Sequence, residues 1–193
     1  MSGKQDMYYS ILIVSSSDRF NSLIKKYLHG FTTIDIKKSA AVARRNILER
    51  YYDIIVIHAP LQDESGIELA FDASEKCNAS ILFVTPTEVY DDVLENVTDK
   101  GILSITKDMI DTRLDQAIRY LVAAQARVHR LEQKNLNLEE KVKEARVVGK
   151  AKGILISKKG MSEDEAHRYI GKQAMDNGVS RKRIAEDIID EYG

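Results

Sequence analysis

The sequence predicts an α/β fold joined to an all-α segment. A doubly wound five-stranded parallel sheet comes first, then a long coiled-coil helix, then a three-helix bundle. Up to Ile105, short apolar runs alternate with amphipathic stretches at the spacing of β-α units. Both prolines, Pro60 and Pro86, lie in this half, so no proline ring bars a helix interior afterwards. From about residue 109 the strand pattern stops, and no glycine stands between Gly101 and Gly149.

Taken in order, 10–14 (SILIV) reads as the first strand. Helical spacing follows through Phe20, Leu23, Ile24 and Leu28, closed by His29-Gly30, with Asp18 as the expected cap. An alternating strand is expected at 32–36 (TTIDI), then a helix through Val42, Ala43 and Ile47. The run 53–57 (DIIVI) is continuous and β-branched, which fits a parallel strand buried on both faces. A helix through Ile67, Leu69 and Ala70 leads to a strand at 80–84 (SILFV), a helix at 87–97 and a strand at 101–105 (GILSI).

The bulk composition narrows the function. A formal net charge of −1 gives no global signal for nucleic acid, so any such signal must be local. The single cysteine, Cys77, excludes an intrachain disulfide framework and a multi-cysteine zinc site. No apolar run approaches a membrane span, and 1–10 (MSGKQDMYYS) has no signal-peptide core. A cytoplasmic protein with no membrane partner, metal or cofactor is expected.

Beyond residue 109 a heptad runs with Leu114, Leu121, Val128, Asn135 and Val142 at a, and Ala117, Ala124, Leu131, Leu138 and Ala145 at d. The stretch up to 122 can still cover the sheet; 123–145 has no other nearby chain to receive its stripe. Asn135 at a central a position suits a register-fixing amide pair. Arg127 and Lys134 at g would face Glu132 and Glu139 at e of a parallel partner. Lys141 and Arg146 repel, and Gly149 and Lys152 do not suit a seam, so the zipper should end near Ala145 after roughly 48 Å of helix. A homodimer through a parallel coiled coil over 114–145 is expected, with Leu121, Val128, Leu131, Asn135, Leu138 and Val142 in the seam.

Residues 146–193 read as three helices. The first stops at Gly160. Ser162 with Glu165 three residues on forms a capping box for the second, which ends at Asn177-Gly178; Ser180 caps the third. Here AKGIL (151–155), GMSEDEA (160–166) and AM (174–175) resemble the ANTAR domain, the RNA-binding module of transcription antitermination regulators. The resemblance covers about the last 50 residues and implies a three-helix bundle that binds RNA hairpin loops, here hairpins in mRNA leaders. From 141 to 193 twelve Lys/Arg stand against nine Asp/Glu, a local net of +3. Lys152, Gly153, Lys158, Lys159, Arg168, Lys172 and Gln173 are the expected RNA-binding residues. The cations would meet phosphates, and the Gln173 amide offers a donor and an acceptor to a base edge. Tyr169 could stack on a base, but its spacing from Ala166 favours the core.

The first 120 residues resemble a response-regulator receiver, a flavodoxin-like fold, spanning 8–122. The whole chain is thus similar to an ANTAR response regulator. In receivers two acids follow the first strand and an aspartate at the end of the third accepts phosphate. Here Ser15, Ser16 and His58 stand at those positions, while Thr85 and Lys107 match the two accessory ones. Without the acids there is no anionic cradle for Mg²⁺. The resemblance therefore implies a pseudo-receiver controlled by a partner protein or a ligand. His58 is expected to hydrogen-bond within a remodelled pocket; phosphorylation of His58 itself, or a pH switch there, are the sharper alternatives. Asp18 and Asp63 are poor substitutes for the missing acids.

Competing functions are a protein-interaction scaffold whose bundle docks a protein rather than RNA, and duplex DNA recognition through the DNGVS turn (176–180). An enzyme is disfavoured: the chain has no P-loop, no nucleophile elbow and no metal-spaced His/Cys set.

Overall fold

The computed structural model describes residues 9–193. Tyr8, the expected first residue of the receiver-like domain, lies outside them. Five strands, β1 (Tyr9–Val14), β2 (Phe31–Lys37), β3 (Ile54–His58), β4 (Ser80–Thr85) and β5 (Leu103–Thr106), form one sheet in the order β2-β1-β3-β4-β5. All pairings are parallel. Every residue of β3 is buried, as its β-branched run requires.

Helices cover both faces. On one side α2 (Ala40–Glu49), α3 (Ile67–Lys76) and α4 (Tyr90–Asp99) close a core around Leu12, Ile55, Ile57 and Phe83. On the other, α1 (Asp18–Ile24) and the start of α5 (Ile110–Lys159) cover Ile11, Ile13, Ile54 and Leu82. The turn into α3 needs Gly66: its φ is +93°, and an added Cβ would lie 3.2 Å from Ile57. The loop before it is bolted to α2. Asp63 accepts the Ala40 and Ala41 backbone N–H groups at 2.8 and 3.0 Å, and Arg44 bridges Glu64 and Asp72 at 2.7 Å each.

Several boundaries differ from expectation. The first helix gives way to a 3-10 turn at Lys25–Tyr27, ahead of His29-Gly30. Its cap is Ser17, whose hydroxyl accepts from the Phe20 N–H; Asp18 is the first helical residue and pairs weakly with Lys38 at 3.8 Å. A 3-10 turn at Thr87–Val89 precedes α4.

The 50-residue helix α5 divides between two compact units, 1–129 and 130–193. In the first, Leu114, Ala117, Ile118 and Leu121 are at most 4% exposed, packed on the sheet. Leu121 is therefore a core residue of this domain and not part of a dimer seam. The heptad phase and the sheet-covering face coincide there, and burial within the chain takes precedence. Farther along, Gln125 is fully buried beside the Ser80 hydroxyl at 3.0 Å, and His129 Nε2 lies 2.9 Å from Asp53. Asp53 also accepts from the Ser10 N–H and hydroxyl at 2.7 and 2.8 Å. This polar clasp carries the first unit past residue 122.

In the second unit the end of α5 packs with α6 (Glu163–Asn177) and α7 (Arg181–Tyr192) around Ala151, Leu155, Ala166, Ile170, Ile184, Ala185 and Ile188. The Ser162–Glu165 capping box forms, and Gly178 closes α6 at φ +64°.

Candidate functional site

The C-terminal bundle carries a groove of about 850 Å³. Lys159 from the end of α5, Arg168 and Lys172 from α6, and Arg181 from α7 bring cations to it. Tyr169 and Met175 supply apolar surface; Met175 is 83% exposed. The Arg181 guanidinium lies beside Gly171, 3.7 Å from where a Cβ would stand, an ordinary contact distance. Asp176 and Glu165 also line the groove, and Glu165 is held by the Ser162 cap.

The expected RNA contacts separate into groups. Arg168 and Lys172 are exposed and share the groove. Lys159 is partly committed to its own bundle: its ammonium lies 4.3 Å from the Tyr192 ring centroid and 5.9 Å from that of Tyr169, and the Tyr192 hydroxyl raises its pKa. Lys152 pairs with Glu163 at 2.7 Å, away from the groove lining. Gly153 and Lys158 are exposed on α5 outside that lining, and the Gln173 side-chain oxygen accepts from Asn177. Tyr169 is half-buried, serving both the core and the groove.

Arg181, Met175 and His167 join the groove unpredicted. A charge signal could have found Arg181. The first turn of α7 holds Arg181, Lys182 and Arg183 with no acid, and its last turn holds no base. Lys182 and Arg183 pair with Glu186 and Asp187 one turn on, whereas Arg181 has Ala185 there, so its place at the helix start opposes the dipole without that compensation.

At the C-terminal end of the sheet, His58 is 8% exposed, its ring stacked on Phe20 with centroids 4.3 Å apart. The buried Ser15 hydroxyl accepts from the Ser17 N–H at 3.1 Å. Burial, and then the charge of Lys107, push the His58 pKa down to about 4. The imidazole is neutral near pH 7, which removes the physiological pH-switch reading. A cavity of about 210 Å³ here is lined by Ser17, Arg19, Phe20, Leu23, His58, Lys107, Ile110 and Asp111. Ser15, Ser16 and Thr85 do not line it, and Thr85 is buried at the end of β4. Asp108, after Lys107, accepts from the Thr87 hydroxyl at 2.6 Å.

A pH prediction follows from His58. An unfolded chain titrates this imidazole near 6.5, whereas the folded protein keeps it neutral down to about 4. As pH falls between those values the unfolded state gains a proton that the folded state does not, so stability is lost. At about pH 5 the loss is on the order of 1 to 2 kcal/mol. The fall in Tm from pH 7 to pH 5 should therefore be smaller in His58→Leu than in the parent protein.

Residues 136–189 match the ANTAR domain family. The C-terminal bundle is an ANTAR domain. ANTAR domains are the RNA-binding modules of antitermination regulators. The transcriptional regulatory protein PdtaR of Mycobacterium tuberculosis is 28% identical over 142 residues, covering 73% of this chain and 69% of its own. The signal receiver domain of an HD domain-containing protein from Pseudomonas fluorescens Pf-5 superposes with a TM-score of 0.57. It is 16% identical and covers 67% of this chain and 97% of its own. The response regulator StyR gives 0.58 at 16% identity over 95% of this chain and 98% of its own. The two structures establish the receiver fold. The chain therefore joins a receiver-type domain to an ANTAR domain, an architecture of transcription regulators rather than enzymes.

The ANTAR match begins at Leu136 within α5, so the ANTAR domain includes the last heptad positions as well as the bundle. Its groove lies wholly within the matched residues. Among the described residues no His/Cys/Asp/Glu group is placed to hold a metal, and no helix is long and apolar enough to cross a membrane.

Proposed function

We propose that this chain is a cytoplasmic antitermination regulator. Its ANTAR groove binds RNA hairpins in mRNA leaders, it works as a homodimer, and its receiver domain is governed by a partner protein or ligand without aspartyl phosphorylation. The observation that carries the RNA reading is the groove itself, where cations from three helices flank an exposed methionine and a half-buried tyrosine. Cations bind phosphates, and Met175 and Tyr169 offer apolar surface to a loop base. Arg181 at the start of α7 points the same way, because it has no acid one turn on and a polyanion rewards a cation that the helix dipole penalises. Titration of a labelled RNA hairpin into the full-length protein tests the reading. Binding that weakens steeply with salt supports it; no binding at low salt contradicts it and leaves a protein-docking scaffold.

The dimer rests on the second unit's unpartnered stripe. Leu131, Leu138 and Val142 are 51%, 59% and 60% exposed, with Asn135 between them. A second copy is the occupant that fits. Its in-register seam would bury these side chains, pair the two Asn135 amides and set Arg127 and Lys134 against Glu132 and Glu139. Val128, already half-buried, would mark its upper end.

Control without phosphorylation rests on Ser15, Ser16 and His58, which leave neither a carboxylate nucleophile nor an acidic cradle for Mg²⁺. Acetyl phosphate with Mg²⁺ should give no phosphoryl adduct on the intact protein by mass spectrometry. A Mg²⁺-dependent adduct would overturn this part of the reading.

A further inference from the structure

Beyond the C-terminal ends of β1 and β3, α1 and the first turn of α5 enclose the 210 Å³ cavity beside His58. The strand order reverses between β1 and β3, and open α/β sheets bind ligands in the crevice at such a reversal. The geometry points to this cavity as a binding site for a small organic carboxylate carrying a short apolar body. This extends the proposed control without phosphorylation by naming the chemistry of the controlling ligand.

Charge selects the anion. Arg19 and Lys107 both line the cavity, and neither side chain takes part in an ion pair or hydrogen bond among the described residues. Asp111 is the one acid in the lining, and His58 is neutral, so the walls carry a net positive charge. Cations beside low-dielectric walls concentrate an anion. Shape and polarity select the rest. Phe20, Leu23 and Ile110 supply apolar surface that an inorganic anion would leave unused. Asp111 further disfavours a doubly charged phosphate. The volume falls below the roughly 300–1,000 Å³ of sites for drug-sized ligands, which calls for a smaller molecule. Ile110 and Asp111 open α5, so a ligand here grips the helix that continues into the ANTAR domain.

The test is titration of benzoate, benzamide and inorganic phosphate into the ¹⁵N-labelled full-length protein. Benzoate should give saturable amide shifts at Ser17, Arg19, Lys107 and Asp111 and raise Tm. Benzamide has the same shape without the charge and should bind at least roughly tenfold more weakly, the worth of a lost charge-assisted contact. Lys107→Met and Arg19→Met should each weaken benzoate by a similar factor, while Lys76→Met on α3 should not. Linear, non-saturating shifts, equal binding of benzamide, or unchanged benzoate affinity in both cavity variants would overturn the site. Phosphate binding as tight as benzoate would overturn the apolar-body assignment. A phosphoryl adduct from acetyl phosphate would remove the absence of phosphorylation on which the regulatory role rests, whatever benzoate does. Loss of hairpin RNA binding would leave the benzoate shifts in place.

Discussion

Lysine at both Leu131 and Leu138 should convert the proposed dimer to a monomer in sedimentation equilibrium. Both leucines are more than half exposed in the single chain, so the substitutions cost the isolated fold little. In the proposed parallel seam all four copies would be buried. Losing four leucines at ~1.5 kcal/mol each weakens association by on the order of 6 kcal/mol, a factor of about 10⁴. Desolvating the ammonium groups adds to that. Asn135→Leu should act in the opposite sense: association strengthens, but the oligomer becomes mixed, because the buried amide pair no longer specifies two strands in register. A double-lysine variant that remains dimeric would move the interface elsewhere on the chain.

The seam also shows what periodicity can and cannot specify. One unbroken heptad runs from Leu114 to Ala145, yet its first positions pack on the chain's own sheet while Leu131, Leu138 and Val142 lie open. An apolar stripe states that a face is buried, not against what. The point where the helix leaves the domain is set by polar groups, Gln125 and His129 against Ser80 and Asp53, which carry no periodic signal. The parallel strands were legible because β-branched runs bounded by turn residues have few other uses. Capping by Ser17 rather than Asp18 was not, since adjacent good caps compete on backbone geometry alone.

The bundle teaches the same lesson for the site. The capping box marked a helix start and helical spacing marked Ala166, Tyr169, Ile170 and Ala174 as inner positions; three are buried behind the observed cap, while Tyr169 is half-buried. The pattern did not show that Arg181 would meet Arg168 and Lys172 across a groove. That juxtaposition depends on how α6 and α7 pack. Nor did it show that Lys152 would be held by Glu163. At the end of β3 no partner for His58 was visible in the sequence; its stacking on Phe20 came from the placement of α1.

Lys152→Ala and the groove variants should therefore separate. Removing Lys152 breaks an ion pair within the bundle, so its main effect should be a small fall in Tm, with hairpin affinity nearly kept. Removing Arg168, Lys172 and Arg181 should delete the proposed phosphate contacts without touching the core. The most direct test of the central claim is the salt dependence of hairpin RNA affinity, by fluorescence anisotropy, for the parent and the Arg168→Ala/Lys172→Ala/Arg181→Ala variant. Circular dichroism should show both folded. At roughly 0.7 per single-strand phosphate contact, three lost contacts per ANTAR domain flatten the log–log slope by about two and weaken binding on the order of a hundredfold at low salt. If the folded variant keeps the parent affinity and salt slope, this groove is not where the protein holds RNA.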